Sequence, residues 1–220
     1  MTVEEAVLAR HSVRAYLDKQ IEESVAKDLA HYIDKCNAIS GLNIQLVLNE
    51  PKAFSGIMAH YGKFSGVTSY IAMIGDKSAD LDEKLGYYGE KIVLQSQMLG
   101  LNTCWVALTY KKVKTALKIG KNQRLRAVIA LGYGKTQGVS RKSKPIERVC
   151  NFSADLPDWF IGGVKSALLA PTAVNQQKFY FESADGKVTA KAGVGFYSKV
   201  DLGIVKCHFE IGANREVKFN

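Results

Sequence analysis

No two cysteines lie at CxxC spacing: Cys36, Cys104, Cys150 and Cys207 are far apart, and His11, His31, His60 and His208 are equally scattered. That spacing supports neither a zinc site nor a disulfide framework, so the cysteines are expected as reduced core residues and no metal is expected. Long apolar runs are also missing. No window approaches the roughly 18 consecutive apolar residues of a membrane span. The first ten residues carry Glu4 and Glu5 where a secretory leader would be basic and then apolar. The expectation is a cytoplasmic protein with no membrane partner. Acidic residues are the scarcer charge, 21 against 30 basic ones, leaving a net charge of +9. Such a balance calls for an anionic partner: nucleic acid, a membrane surface, or a phosphorylated cofactor or substrate.

What is present is an ordinary globular composition of 220 residues, 47% hydrophobic and 23% charged, which excludes disordered and fibrous classes. The length suits one large core or two unequal lobes. Basic residues concentrate in Lys111, Lys112, Lys114, Lys118, Lys121, Arg124 and Arg126, then in Lys135, Arg141, Lys142, Lys144 and Arg148. The first part reads as a solvated face. With no interleaved aromatic beyond Tyr110, it makes a poor nucleic-acid surface, and no nucleic-acid partner is expected.

Periodicity places helices at about Thr2 to Ala9, with Thr2 as cap, and at about Glu22 to Cys36, where Val25, Leu29, Tyr32, Ile33 and Cys36 share a face. A strand is expected at Ile44 to Leu48, and inner strands at Ser69 to Gly75 and Arg126 to Gly132. Between the latter lies a long central helix, about Asp82 to Leu99, whose small residues Gly89 and Ser96 would let another helix approach. A polar loop follows Gly132. Then come a helix near Pro157 to Leu169, a strand at Lys178 to Glu182, a hairpin signal at Asp185-Gly186 and a last helix near Lys199 to Ala213. The helix ending at Cys36 and the helix ending at Leu169 are each followed by a polar stretch with an Asn-x-Gln step and then a strand, as degenerate duplication would leave them.

Four segments could carry chemistry. In an extended chain Arg10, Ser12 and Arg14 alternate, so two guanidinium forks and a hydroxyl would project to one side and could grip a phosphate, or the segment is simply a helix end with two exposed arginines. Lys142 and Lys144 also alternate, in the loop after Gly132-Tyr133-Gly134, and could complete a phosphate cage or simply be solvated. Pro171-Thr172-Ala173-Val174-Asn175-Gln176-Gln177 is rich in hydroxyls and amides able to address a heterocycle or a sugar; equally, it reads as a helix-ending turn held by its own side chains. Gly100-Leu101-Asn102-Thr103-Cys104-Trp105-Val106-Ala107-Leu108 reads as a glycine helix end and an aromatic turn whose N–H groups could meet a flat ligand, with Trp105 as a core residue the plainer alternative.

Arg-His-Ser-Val-Arg at 10 to 14, Gly-Leu-Asn-Thr-Cys-Trp at 100 to 105, Gly-Tyr-Gly at 132 to 134, Arg-Lys-Ser-Lys-Pro at 141 to 145 and Ala-Pro-Thr-Ala-Val-Asn-Gln-Gln at 170 to 177 together resemble the FMN-dependent nitroreductase family, especially its single-chain branch with internally duplicated halves. The resemblance implies an α/β (α+β) sandwich, a mixed sheet flanked by helices around a long central helix. It also implies a pseudo-dimer: residues 1–150 as a nitroreductase-like half with the phosphate-binding segments, and 151–220 as a second, degenerate half, in one compact unit. By the same resemblance Arg10, Ser12 and Arg14 would hold the phosphate and ribityl chain of FMN, with His11 beside them and Lys142 and Lys144 completing the phosphate site. Pro171, Thr172, Ala173 and Asn175 would match the stretch that reaches the flavin from a partner subunit, with Gln177 supporting it. Trp105, Val106 and Ala107 would lie beside the ring, and at the turn after Trp105 the family often has glycines where this chain has Val106, Ala107 and Leu108.

The order of motifs departs from the family pattern, since the proline-serine-asparagine stretch usually follows the first long helix, where this chain has only Ile39 to Gln45. One chain would then enclose one flavin where a family dimer encloses two, as a monomer or a homodimer. The implied activity is hydride transfer from NADH or NADPH, through the flavin, to a small flat acceptor such as a nitroaromatic or a quinone. No side-chain nucleophile or acid is required. The alternative is a flavin-storing or flavin-sensing protein without turnover.

Overall fold

The computed structural model describes residues 1–184 and 186–219. In chain order the elements are α1 (Val3–Ala9), α2 (Glu23–Ser40), β1 (Gln45–Val47), α3 (Ile57–Tyr61), β2 (Ser69–Asp76), α4 (Leu81–Met98), β3 (Asn102–Val106), β4 (Gln123–Gly132), α5 (Asp158–Ala167), β5 (Phe179–Ala184), β6 (Lys187–Ala192) and α6 (Ser198–Ala213). The chain divides into two units. A sheet unit holds Ala9–Leu81 and Ile92–Val139, and a helical unit holds Met1–Leu8, Asp82–Lys91 and Ser140–Asn220.

The sheet unit is built on β2 and β4, the two apolar runs. Ile71, Ala72, Met73 and Ile74 face Ile129, Val128, Ala127 and Leu125 in an antiparallel ladder, and all but Leu125 are buried. Such runs suit strands covered on both faces. The order is β1-β2-β4-β3 with every neighbour antiparallel. Parallel pairing enters through isolated bridges, Ser12 with Thr103 and Ala15 with Ser65. Under one face lies a cluster including Val13, Tyr16, Phe54, Phe64, Tyr70, Cys104, Val128 and Ala130. The segment 100–108 differs from its expected aromatic turn: residues 102–106 form β3, because Leu101, Cys104 and Val106 are apolar enough to be buried along β4. Helix α2 runs four residues past its expected end at Cys36, to Ser40. Gly41 then adopts φ 71° and donates its N–H to Asn37 O, the left-handed stop that glycine permits. The Asn37 side chain donates to Ile44 O (2.9 Å) and accepts from Ile44 N (2.8 Å), which ties the helix to the start of β1.

The helical unit begins with a reciprocal cap. Glu5 N donates to Thr2 Oγ1 and Thr2 N donates to Glu5 Oε2 at the start of α1. Its core is aromatic: Phe160, Phe181 and Phe209 are fully buried, with the Phe181 and Phe209 rings stacked 4.6 Å apart. Another helix approaches α4 closely at Gly86. A Cβ on Gly86 would strike Val200 O, and one on Gly203 would strike Glu83 O. Ser96, fully buried, turns its hydroxyl to Ile92 O. Three polar contacts brace the crossing of α4 and α6. Tyr87 donates to Glu210, Lys206 pairs with Glu83, and His208 Nε2 lies 2.9 Å from Glu90 Oε1, both of these last residues being fully buried. Strands β5 and β6 pair antiparallel to the tip, Ala184 opposite Lys187, with Gly186 at φ 71°. Asp185 of the expected hairpin signal lies outside the described residues. All four cysteines are buried thiols. Among the described residues no helix is long and apolar enough to cross a membrane.

Candidate functional site

The residues nominated from the sequence gather into two groups, one in each unit. In the sheet unit the segment after α1 runs extended along β3, where Ser12 bridges Thr103 and Val13 N donates to Thr103 O at 3.0 Å. On past Val13 it is held by other loops. Ser65 N donates to Arg14 O, Tyr16 N to Ser65 O, Leu17 N to Tyr133 O and Lys135 N to Ala15 O. Val13 and Tyr16 anchor the segment in the core, 2% and 1% exposed, and the Tyr16 hydroxyl donates to Val13 O at 2.8 Å.

This packing leaves Ser12 and Arg14 half-buried and takes Arg10 inside, 6% exposed. Arg14 lies 5.9 Å over the ring of Phe64, a position that orients a guanidinium without using its N–H donors. His11 is pushed down from its ordinary value by partial burial and then by the charge of Arg10, so at neutral pH it is an uncharged donor or acceptor.

The glycine-tyrosine-glycine loop closes on this segment. A Cβ on Gly134 would meet Val13 Cγ1 at 2.9 Å and Asn102 Oδ1 at 2.7 Å, and one on Gly138, at φ +77°, would meet His11 Cβ at 2.6 Å. Asn102, 4% exposed at the start of β3, accepts from Gly134 N and donates to Gln137 Oε1. Three of the motifs singled out in the sequence therefore adjoin one another around Asn102, which sequence reasoning did not nominate by itself. In the third motif, Trp105 and Ala107 are half-buried and Val106 is buried in the β3 ladder.

In the helical unit, Lys142 and Lys144 sit against the turn 172–177. Asn175 Nδ2 donates to Lys142 O (3.0 Å), Lys144 N donates to Gln177 Oε1 (2.7 Å), and Lys144 Nζ donates to Gln177 O (2.8 Å). Gln177, 2% exposed, also donates from Nε2 to Leu168 O and from its backbone N to Thr172 Oγ1. The amides of Asn175 and Gln177 are thus occupied with holding the turn. Pro171, Thr172 and Ala173 are half-buried.

The hold is needed because the turn is strained. Val174, Asn175 and Gln177 have φ of 47°, 56° and 44°, with no glycine among them. Left-handed backbone costs roughly 1–2 kcal/mol per residue, and it persists where the surroundings over-determine it, as happens at ligand sites. Packing does not supply the restraint at Val174, which is 90% exposed. A residue absent from the sequence reading does so at the turn's start. Asp201, 3% exposed in the first turn of α6, accepts from Ala173 N on Oδ1 (2.9 Å) and from Gln176 Nε2 on Oδ2 (2.6 Å). In the sequence Asp201 is just an acidic residue favoured near a helix N-terminus, and nothing local points 25 residues back.

The chain matches, over residues 2–213, the family model described as "Putative TM nitroreductase". No curated protein matches it. Among solved structures it is similar to a putative nitroreductase of Thermotoga maritima, 27% identical with a TM-score of 0.70, covering 98% of this chain and 87% of that one. It is also similar to a putative nitroreductase of Desulfovibrio desulfuricans in complex with FMN, 16% identical with a TM-score of 0.55, covering 71% of this chain and 99% of that one. A nitroreductase family protein of Streptococcus pneumoniae is 15% identical with a TM-score of 0.53, covering 67% and 98%.

Proposed function

The chain belongs to the nitroreductase family whose model it matches, and from that premise we propose that it is an FMN-binding oxidoreductase taking electrons from NADH or NADPH and passing them to flat acceptors such as nitroaromatics or quinones. The observation that carries the reading is the donor set. Ser12 and Arg14 stand half-buried on a segment locked between β3 and the glycine loop, and a strained, amide-rich turn is fastened to the lysine-bearing loop. Permanent guanidinium charge with a hydroxyl suits a phosphate ester. A turn offering backbone groups and no net charge suits the polar edge of a heterocycle. The residues present fit FMN. When bound, FMN would supply the hydride chemistry, for which no side-chain nucleophile is required.

Arg10, Ser12 and Arg14 would hold the phosphate and ribityl chain, with uncharged His11 beside them. Lys142 and Lys144 would add positive charge; Lys144 keeps donors to spare after its bond to Gln177 O, since an ammonium has three. Thr172 would meet the flavin with its backbone, and Ala173, whose N–H is held by Asp201, would lie beside it, while Asn175 and Gln177 would keep the turn in shape. Trp105 and Ala107, half-buried at the end of β3, would flank the ring, and buried Val106 would back them.

The test is the visible spectrum of the purified protein and its titration with FMN. A purified chain with no flavin absorption and no FMN uptake on titration would remove the proposal. Arg14→Ala is expected to weaken FMN about tenfold or more, the loss of a charge-assisted hydrogen bond. Arg124→Ala, on an exposed stretch of β4, is expected to change it little. Equal losses would put the phosphate elsewhere. Bleaching of the bound flavin by NADH or NADPH under anaerobic conditions is expected, and a flavin that stays oxidised would favour the storage or sensing alternative.

A further inference from the structure

We infer that Asp201 is a positioning residue for the turn 172–177, fixing the conformation in which that turn meets its ligand; with FMN as that ligand, the inference rests on the reading above. The turn is clamped at two places by different means. At its far end, Gln177 is bound to Leu168 O, to Lys144 and to Thr172 Oγ1. At its near end the two carboxylate oxygens of Asp201 divide the work, one on the backbone N of Ala173 and the other on the side chain of Gln176.

Gln176 carries the restraint further, since its Nε2 also donates to Phe196 O at 2.7 Å. That second bond fastens the loop just before α6, in which Gly195 has no room for a Cβ against Gln176 and Tyr197 is left-handed at φ 52°. Between the clamps stands Val174, left-handed and exposed, without packing to hold it. An acceptor with two oxygens on a rigid helix is the group able to serve a backbone and a side-chain donor at once. Asparagine at 201 keeps an oxygen for Ala173 N and turns an NH₂ toward the Gln176 NH₂, so the shape survives while the link to Gln176 is broken. Burial already holds the Asp201 carboxyl above its ordinary range, so removing its charge is not expected to lower the stability of the ligand-free protein at neutral pH.

The experiment compares wild type with Asp201→Asn, Asp201→Ala and Gln176→Met. It measures FMN affinity by flavin fluorescence, the melting temperature without FMN, and hydrogen exchange at the Ala173 amide without FMN. The expected result for Asp201→Asn and Gln176→Met is FMN binding weaker by about fivefold or more, the scale of one hydrogen bond, with the FMN-free melting temperature of Asp201→Asn close to wild type. Binding unchanged from wild type, or falling only in step with the melting temperature, would overturn the inference. Should wild type bind no FMN, the flavin reading falls and the exchange rate decides the role of Asp201. Faster exchange at Ala173 in Asp201→Ala, by about tenfold, upholds it, and an unchanged rate overturns it.

Discussion

Tyr16 shows how much one hydroxyl does beside the arginine segment. It is 1% exposed and its O–H donates to Val13 O, with Ala130 O a longer second acceptor at 3.3 Å. Tyr16→Phe leaves buried carbonyls without that donor and is expected to cost about 1–2 kcal/mol in urea denaturation. Asp201 makes a prediction of opposite character. Burial pushes its carboxyl up from 3.8 to about 6, outweighing the hydrogen bonds from Gln176 and Ala173 that pull it down. The folded protein therefore holds this proton more tightly than the unfolded chain does. The contribution to stability is complete below about pH 4 and is lost as pH rises through about 6, on the order of 2–3 kcal/mol. Stability of wild type relative to Asp201→Asn should fall between those limits; parallel pH curves would contradict the assignment. The candidate segments were visible as local motifs, since Arg10, Ser12 and Arg14 in the sheet unit, and Lys142, Lys144 and the turn 171–177 in the helical unit, each stand out in composition. Asn102 and Asp201 did not stand out, because what marks them is a buried polar side chain meeting a backbone group distant in sequence.

Helix α4 and helix α6 illustrate the same contrast among elements. Their existence and extents follow from apolar periodicity, and both run within a residue or so of the expected bounds. The crossing does not follow, because a small residue in a helix says only that an approach is possible there. It is Gly86 against Val200 and Gly203 against Glu83 that make the contact, so Gly203→Ala should cost about 3 kcal/mol by overpacking backbone on backbone. Gly56→Ala, where a Cβ would meet nothing within 4 Å, serves as the control. Thermal melting distinguishes them. His208→Leu removes the ring that meets Glu90 and Ser166 O in a fully buried site and is expected to cost about 1–3 kcal/mol. Strand β3 was the element the sequence concealed. Its five residues follow a glycine helix end and include tryptophan, so turn and strand read alike until β4 is there to pair with it.

For the molecule as a whole, the net charge of +9 and the anionic phosphate of FMN fix two expectations. Affinity for FMN should fall as salt rises, since attraction between exposed charges is screened beyond a Debye length of about 8 Å at physiological ionic strength. If one chain suffices for one flavin, titration should saturate at one FMN per chain, with an affinity that does not change on diluting the protein; half that ratio would exclude it. Neither unit is a continuous stretch, because residues 82–91 of α4 belong to the helical unit while 92–98 belong to the sheet unit. During synthesis, everything the sheet unit needs has been made once Val139 is added. Met1–Leu8 and Asp82–Lys91 must then wait for the last 81 residues before their own neighbours exist. A gene cut between Val139 and Ser140 would encode a first fragment carrying two orphaned pieces and a second fragment lacking them. Complementation by the two fragments together, rather than folding of the second alone, is the outcome such threading dictates.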